Sequence, residues 1–109
     1  MPSKQPLFYI TVEVTPNVNF HEMDPHDQEE PFLSEGGKMH YLARAKNQED
    51  ADEYALDAFH CAVPIHNLDD FVISTGLNQM SNHEQLKILA DYPFAQDMGD
   101  NRALLVMKE

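Results

Sequence analysis

The chain holds a single cysteine, Cys61, and no tryptophan. A lone thiol excludes an intramolecular disulfide framework, so the fold must be held by packing alone, and the expected compartment is the reducing cytoplasm. Bases are equally scarce, with seven Lys and Arg against nineteen acids and a formal charge of -12. Such a field repels phosphates and anionic headgroups. It excludes direct binding to nucleic acid or to a membrane surface and favours a basic protein surface as partner. There are four glycines, and no Gly-rich phosphate cradle, nucleophile elbow, paired CxxC or metalloprotease helix is formed around them. With no such signature, neither an enzyme nor a cofactor is expected. No run approaches the roughly 18 apolar residues needed to span a bilayer, and Met1-Pro2-Ser3-Lys4 does not open the apolar stretch of a secretory leader.

What is present is enough apolar material for one core. Ten Phe and Tyr residues and a hydrophobic fraction of 42% in 109 residues predict a single domain spanning 1–109. Leu7 to Thr15 alternates with the period of a half-buried strand, Phe8, Ile10, Val12 and Val14 on one face and Tyr9, Thr11 and Glu13 on the other. From 16 to 37 the pattern dissolves around Pro16, Pro25, Pro31 and the pair Gly36-Gly37, predicting a long acidic loop. A second strand is expected over Lys38 to Ala45, then a helix capped by Asn47 with Ala51, Ala55, Ala58, Phe59 and Ala62 facing inward and Pro64 as its stop. Phe71 to Thr75, closed by Gly76, reads as a third strand. Ser81 caps a second helix with Leu86, Leu89 and Ala90 as its buried stripe, and Ala103 to Met107 reads as a terminal strand buried on both sides. The order β-β-α-β-α-β predicts an α+β fold, a four-stranded mixed sheet with two helices on one face and right-handed crossovers.

Two constellations carry chemistry. Between His21 and Glu30, two imidazoles and five carboxylates (Glu22, Asp24, Asp27, Glu29 and Glu30) lie without a compensating base. These side chains ligate divalent metals, and His21 and His26 are the candidates, but their spacing gives no shared helical face and no metal site is expected from it. On the first helix Glu49, Glu53 and Asp57 recur every fourth residue, flanked by Asp50 and Asp52, and no Lys or Arg occurs from Asn47 through Leu86. Like charges so spaced cost about 0.2–0.5 kcal/mol per pair, so a sustained row hints at a purpose. His60-Cys61 is no catalytic dyad, since helical neighbours point about 100° apart, and Cys61 is expected to act as a small buried hydrophobe.

These features predict a non-enzymatic acidic binding protein that occupies a basic surface of a partner. Nucleic-acid-binding proteins are the obvious targets, with the carboxylates of Glu49, Asp50, Asp52, Glu53 and Asp57, continued by Glu22, Asp24, Asp27, Glu29 and Glu30, standing where phosphates would. Inhibitors of restriction or CRISPR enzymes supply the analogy, one of charge and size. Tyr9, Phe32 and Leu42 are the expected apolar anchors. Two alternatives compete with this reading. One is a regulatory or oligomerisation domain in which Tyr9, His40 and Leu42 on an open sheet face form a homodimer contact. The other is a metal-binding protein or small enzyme built on His21, His26, His40, His60, His66 and nearby carboxylates.

Overall fold

The computed structural model of the chain describes residues 5–108, so the reading of Met1-Pro2-Ser3-Lys4 lies outside them. The described residues fold as an α+β domain around a four-stranded antiparallel sheet. β1 (Leu7–Pro16) pairs along its length with β2 (Gly37–Arg44) on one side and β3 (Phe71–Asn78) on the other, and β4 (Arg102–Lys108) adds to β2. Every neighbouring pair is antiparallel, which corrects the mixed sheet read from the sequence. The reason is that β1 intervenes. β2 and β3 run the same way, but each is hydrogen-bonded to the strand between them, so the helix joining them crosses over β1 and creates no parallel ladder.

β1 takes the centre because its alternation gives it an inner face with nothing left to water: Ile10, Val12 and Val14 are at most 1% exposed. Met39, Tyr41 and Ala43 of β2 extend that face. α3 (Gln48–Ala62) lies on it. The Asn47 side chain accepts from the Asp50 N–H at 2.9 Å, satisfying one orphan donor of the first turn. Ala51, Ala55 and Phe59, one turn apart, are fully buried. The small Ala51 and Ala55 let the helix settle against Ala43 and Ala45, and Val63 and Pro64 end it. The stripe is narrower than predicted, with Ala58 half-buried and Ala62 exposed.

The expected loop over 16–37 is structured. After a 3-10 turn at Phe20–Glu22 come two short helices, α1 (Pro25–Gln28) and α2 (Pro31–Glu35). Pro25 and Pro31, read as breakers, stand at the first helical position, where the missing N–H costs nothing. Asp24 and Glu30 cap the two helices through their carboxylates. Met23, Phe32 and Leu33 pack into the core beside Phe59, and the Phe32 and Phe59 rings lie 6.4 Å apart. Gly36, at φ 81°, then turns the chain into β2, and a Cβ there would meet the Val14 carbonyl oxygen at 3.0 Å.

The second helix lies on the opposite face of the sheet from α3, correcting the expectation of both helices on one face. Leu7 and Tyr9 of β1, Leu42 of β2 and Leu104 and Val106 of β4 make half of that face apolar, and it must be covered. α4 (Asn82–Asp91), capped by Ser81, and a 3-10 turn at Pro93–Asp97 cover it with Ile88, Leu89, Tyr92, Ala95 and Met98. Leu86 and Ala90, predicted inside, are exposed. β3 continues past Gly76 to Asn78, and β4 is an edge strand with Leu105 and Met107 partly open to water, not a strand buried on both sides. No helix among the described residues is long and apolar enough to cross a membrane.

Leu33 is fully buried in a segment the sequence reads as loop, so Leu33→Ala is expected to cost about 2–5 kcal/mol in a denaturant melt, like any core leucine. A cost near zero would return 16–37 to the status of a loop. Ala55→Leu, forced against the sheet, is expected to cost about 1–3 kcal/mol by the same measurement.

Candidate functional site

Most acidic residues lie on the side of the sheet that carries α1, α2 and α3, with Glu13, Glu84, Asp91 and Asp97 on the other. Glu49, Glu53 and Asp57 are exposed along α3, and successive members sit about 6 Å apart along the axis. Glu22 in the 3-10 turn and Glu29 and Glu30 between α1 and α2 are exposed on the same side of the sheet. Among the described residues the ion pairs are Asp24–His26 and Lys38–Glu13, so the α3 row carries no salt bridge. The bases Lys38, Arg44 and Arg102 alternate onto the other face and Lys87 is on α4 above it, while Lys108 lies on the acidic side, its Nζ 5.2 Å over the Phe32 ring.

Not every predicted contact residue belongs to this surface. Asp50 is half-buried, and its backbone N–H is taken by the Asn47 cap. Asp52 is half-buried too: its Oδ1 is shielded from water and has no hydrogen-bond partner, and burial raises its pKa above the usual carboxylate value. Asp27 is 1% exposed, its carboxylate turned inward onto two backbone N–H groups. Phe32 and Leu42 are core residues on opposite faces of the sheet and cannot anchor a partner. Their residue types mark them as apolar, but only the packing of α2 and α4 decides that they are covered. Tyr9 is half-buried and stacks on His40, ring centroids 5.6 Å apart at 16°. The most exposed large apolar side chains are instead Leu86, Leu68, Phe94, Val72 and Phe20.

The uncovered half of the second face is polar. Thr11, Glu13, Lys38, His40, Ser74 and Asn78 line an open concavity of about 430 Å³, floored in part by the bare Gly76. Thr11 Oγ1 lies 2.8 Å from His40 Nδ1 and accepts a hydrogen bond from the Asn78 amide, which also donates to the Tyr9 carbonyl at 3.4 Å. Lys38 and Glu13 form a partly exposed ion pair at 3.5 Å beside it. The hydroxyl is thus held between an amide and an imidazole, an arrangement suited to presenting hydrogen-bond groups.

The histidines divide. His21 is exposed, edge-on to Phe20 at 6.0 Å. His26 is joined instead by His66, their rings stacked with centroids 4.4 Å apart, and by the Asp24 carboxylate, whose Oδ1 is 3.3 Å from His26 Nδ1. Asp24 is held below the ordinary carboxylate pKa, chiefly by the hydrogen bond it accepts from the His26 N–H. His66 lies forty residues from His26, and no local spacing could pair them. His60 is edge-on to Phe59, and Cys61, expected inside, is exposed at the end of α3. No family model, curated protein or solved structure matches this chain.

Asp52 generates a pH test. Its pKa is raised on folding, so the native state binds this proton more tightly than the unfolded chain, and its contribution to stability falls as pH rises through the folded pKa. Asp52→Asn is expected to raise the melting temperature by a few degrees at pH 7 and to leave it unchanged at pH 3, where the wild-type carboxyl is itself neutral. An equal shift at both pH values would show that burial of the charge is not the cause.

Proposed function

We propose that this chain is a non-enzymatic binding protein that seats a basic surface of a partner protein against the helical side of its sheet. The observation that carries the reading is the row Glu49, Glu53 and Asp57, exposed on one long helix with no salt bridge among the described residues. An exposed helix ordinarily laces its acids with Lys or Arg at i+4. Here repulsion is retained, and a cationic surface would relieve it on docking. Counterions released from that surface and long-range attraction would together speed association.

The partner's chemistry can be narrowed. Duplex DNA carries one charge per about 1.7 Å of axis, whereas the α3 row offers one per about 6 Å. The row alone is too sparse to stand for a duplex. Glu22, Glu29 and Glu30, exposed on the same side of the sheet, widen it into a band. This suits a partner presenting a basic helix or loop, of which nucleic-acid-binding proteins are the richest source. Phe20, 49% exposed and beside Glu22, replaces Phe32 and Leu42 as the apolar anchor.

A second reading, oligomerisation through the sheet, is favoured by one observation. β3 is an edge strand of eight residues with no charge and no proline, and Val72 and Leu77 on it are exposed. Natural edges are commonly protected by one or the other. A homodimer would pair β3 with its copy, and mass in solution separates this reading from the first.

Charge reversal of Glu49, Glu53 and Asp57 to Lys is expected to leave the melt unchanged or slightly improved, since none of the three packs into the core. The same variant is expected to lose association with a basic partner recovered from the native host by at least ten-fold, and the wild-type complex to weaken steeply with salt. Unchanged affinity and salt slope in a normally folded variant would make the row a solvated face.

A further inference from the structure

Asp27 and Asp70 are the buried charged residues of the described chain, 1% and 5% exposed, and both act on the same small region. Asp27 accepts from the backbone N–H groups of His66 at 3.0 Å and Asn67 at 3.1 Å, tying the segment after α3 to α1. Asp70 accepts from the Asp24 N–H at 2.9 Å and from the Asn67 amide at 3.3 Å, tying the start of α1 to the turn before β3. Burying a carboxylate is costly, and two are committed here to fixing backbone. What they fix are the segments bearing Asp24, His26 and His66. The three side chains point outward from this rigid base, with one donor atom of each within 4.8 Å of the others.

We propose that Asp24, His26 and His66 form a site for a borderline first-row divalent ion, Zn²⁺ in the first instance. Two imidazoles and one carboxylate are the donor set that such ions take, and the imidazoles exclude a Ca²⁺ or Mg²⁺ site built on oxygen. The geometry agrees. Arms of about 2.0–2.1 Å in a tetrahedron put donors about 3.3 Å apart, and Asp24 Oδ1 and His26 Nδ1 already stand at 3.3 Å. The His26 and His66 rings lie nearly parallel, 4.4 Å apart, so His66 has to swing out of the stack to aim its in-plane lone pair at the same point, and as an exposed side chain it has the room to do so. The adjoining cleft of about 210 Å³, lined by His26, Glu29, Glu30, Pro64 and His66, leaves room for water or a glutamate as fourth ligand. Asp27 and Asp70 hold the ligand-bearing backbone, the part that outer-shell carboxylates play around bound metals. The ion would clip α1 to the connection between α3 and β3.

Untagged protein stripped with chelator is titrated with Zn²⁺, Mg²⁺ and Ca²⁺ and followed by calorimetry and thermal melting. One Zn²⁺ per chain is expected, with a rise of several degrees in melting temperature because the ion binds the folded state, while Mg²⁺ and Ca²⁺ leave the melt unmoved. His26→Ala, His66→Ala and Asp24→Asn, the last keeping the helix cap, are each expected to weaken Zn²⁺ binding by at least ten-fold. Should a variant melt early without metal, the wild-type imidazole resonances of His26 and His66 decide instead, shifting together on addition of one equivalent of Zn²⁺. Absence of Zn²⁺ binding, an equal response to Ca²⁺, wild-type affinity in a folded variant, or unshifted His26 and His66 resonances would each overturn the site.

Discussion

Everything in this molecule is arranged around the pairing of one strand on both of its edges. β1 must place its backbone groups on two neighbours while burying Ile10, Val12 and Val14 against helices. Its partners cannot both be reached by short turns. β2, the antiparallel neighbour, could follow by a hairpin but is reached through α1 and α2, whereas β3 lies beyond β1 and requires the crossover that α3 makes over the same face. The helical layer is the by-product of that route. Once α2 and α3 share the inner face, Phe32, Leu33 and Phe59 close the core, and the exposed acids of α3 and of the segment from Glu22 to Glu35 are brought to one side.

The layer is fastened at one end by carboxylates instead of apolar contact. Asp27 and Asp70 satisfy four donors between them, three of them backbone N–H groups of segments without regular pairing of their own. Each unmet donor would cost about 1–3 kcal/mol, which makes this corner a place where a polar network specifies geometry as sharply as packing does. The opposite corner, where α4 and the turn after it cover Leu42, has few fully buried residues and is the lighter of the two attachments.

The sequence made the strands and long helices legible because their signals are local. Alternation in Leu7 to Thr15, the Asn47 cap and the Ser81 cap each act within a few residues. Partners across the sheet were not legible. Whether β3 lies beside β2 or beyond β1 leaves the same alternation, and the apolar half of the second face appears only when Tyr9, Leu42 and Leu104 are set side by side. Residues 16–37 misled because proline at the first position of a helix and proline in a loop look alike one residue at a time. The acidic row was readable from the helical period, yet Asp52 and Asp27 within the same acidic runs turn inward, since charge alone carries no sign of direction. His66 could not be joined to His26 from spacing, because their meeting depends on the buried Asp27, which follows His26 and lies 39 residues before His66.

The uneven spread of charge has a consequence of its own: acids predominate beside α1, α2 and α3, whereas on the other face Glu13, Glu84, Asp91 and Asp97 are offset by Lys38, Arg44, Lys87 and Arg102. Beyond a net charge, the molecule has a dipole moment directed across its sheet. In the field of a cationic body it would experience a torque as well as a pull, and it would rotate the α3 side forward before any side chain made contact. Orientation would then be partly settled during diffusion, and fewer encounters would be spent on the wrong face.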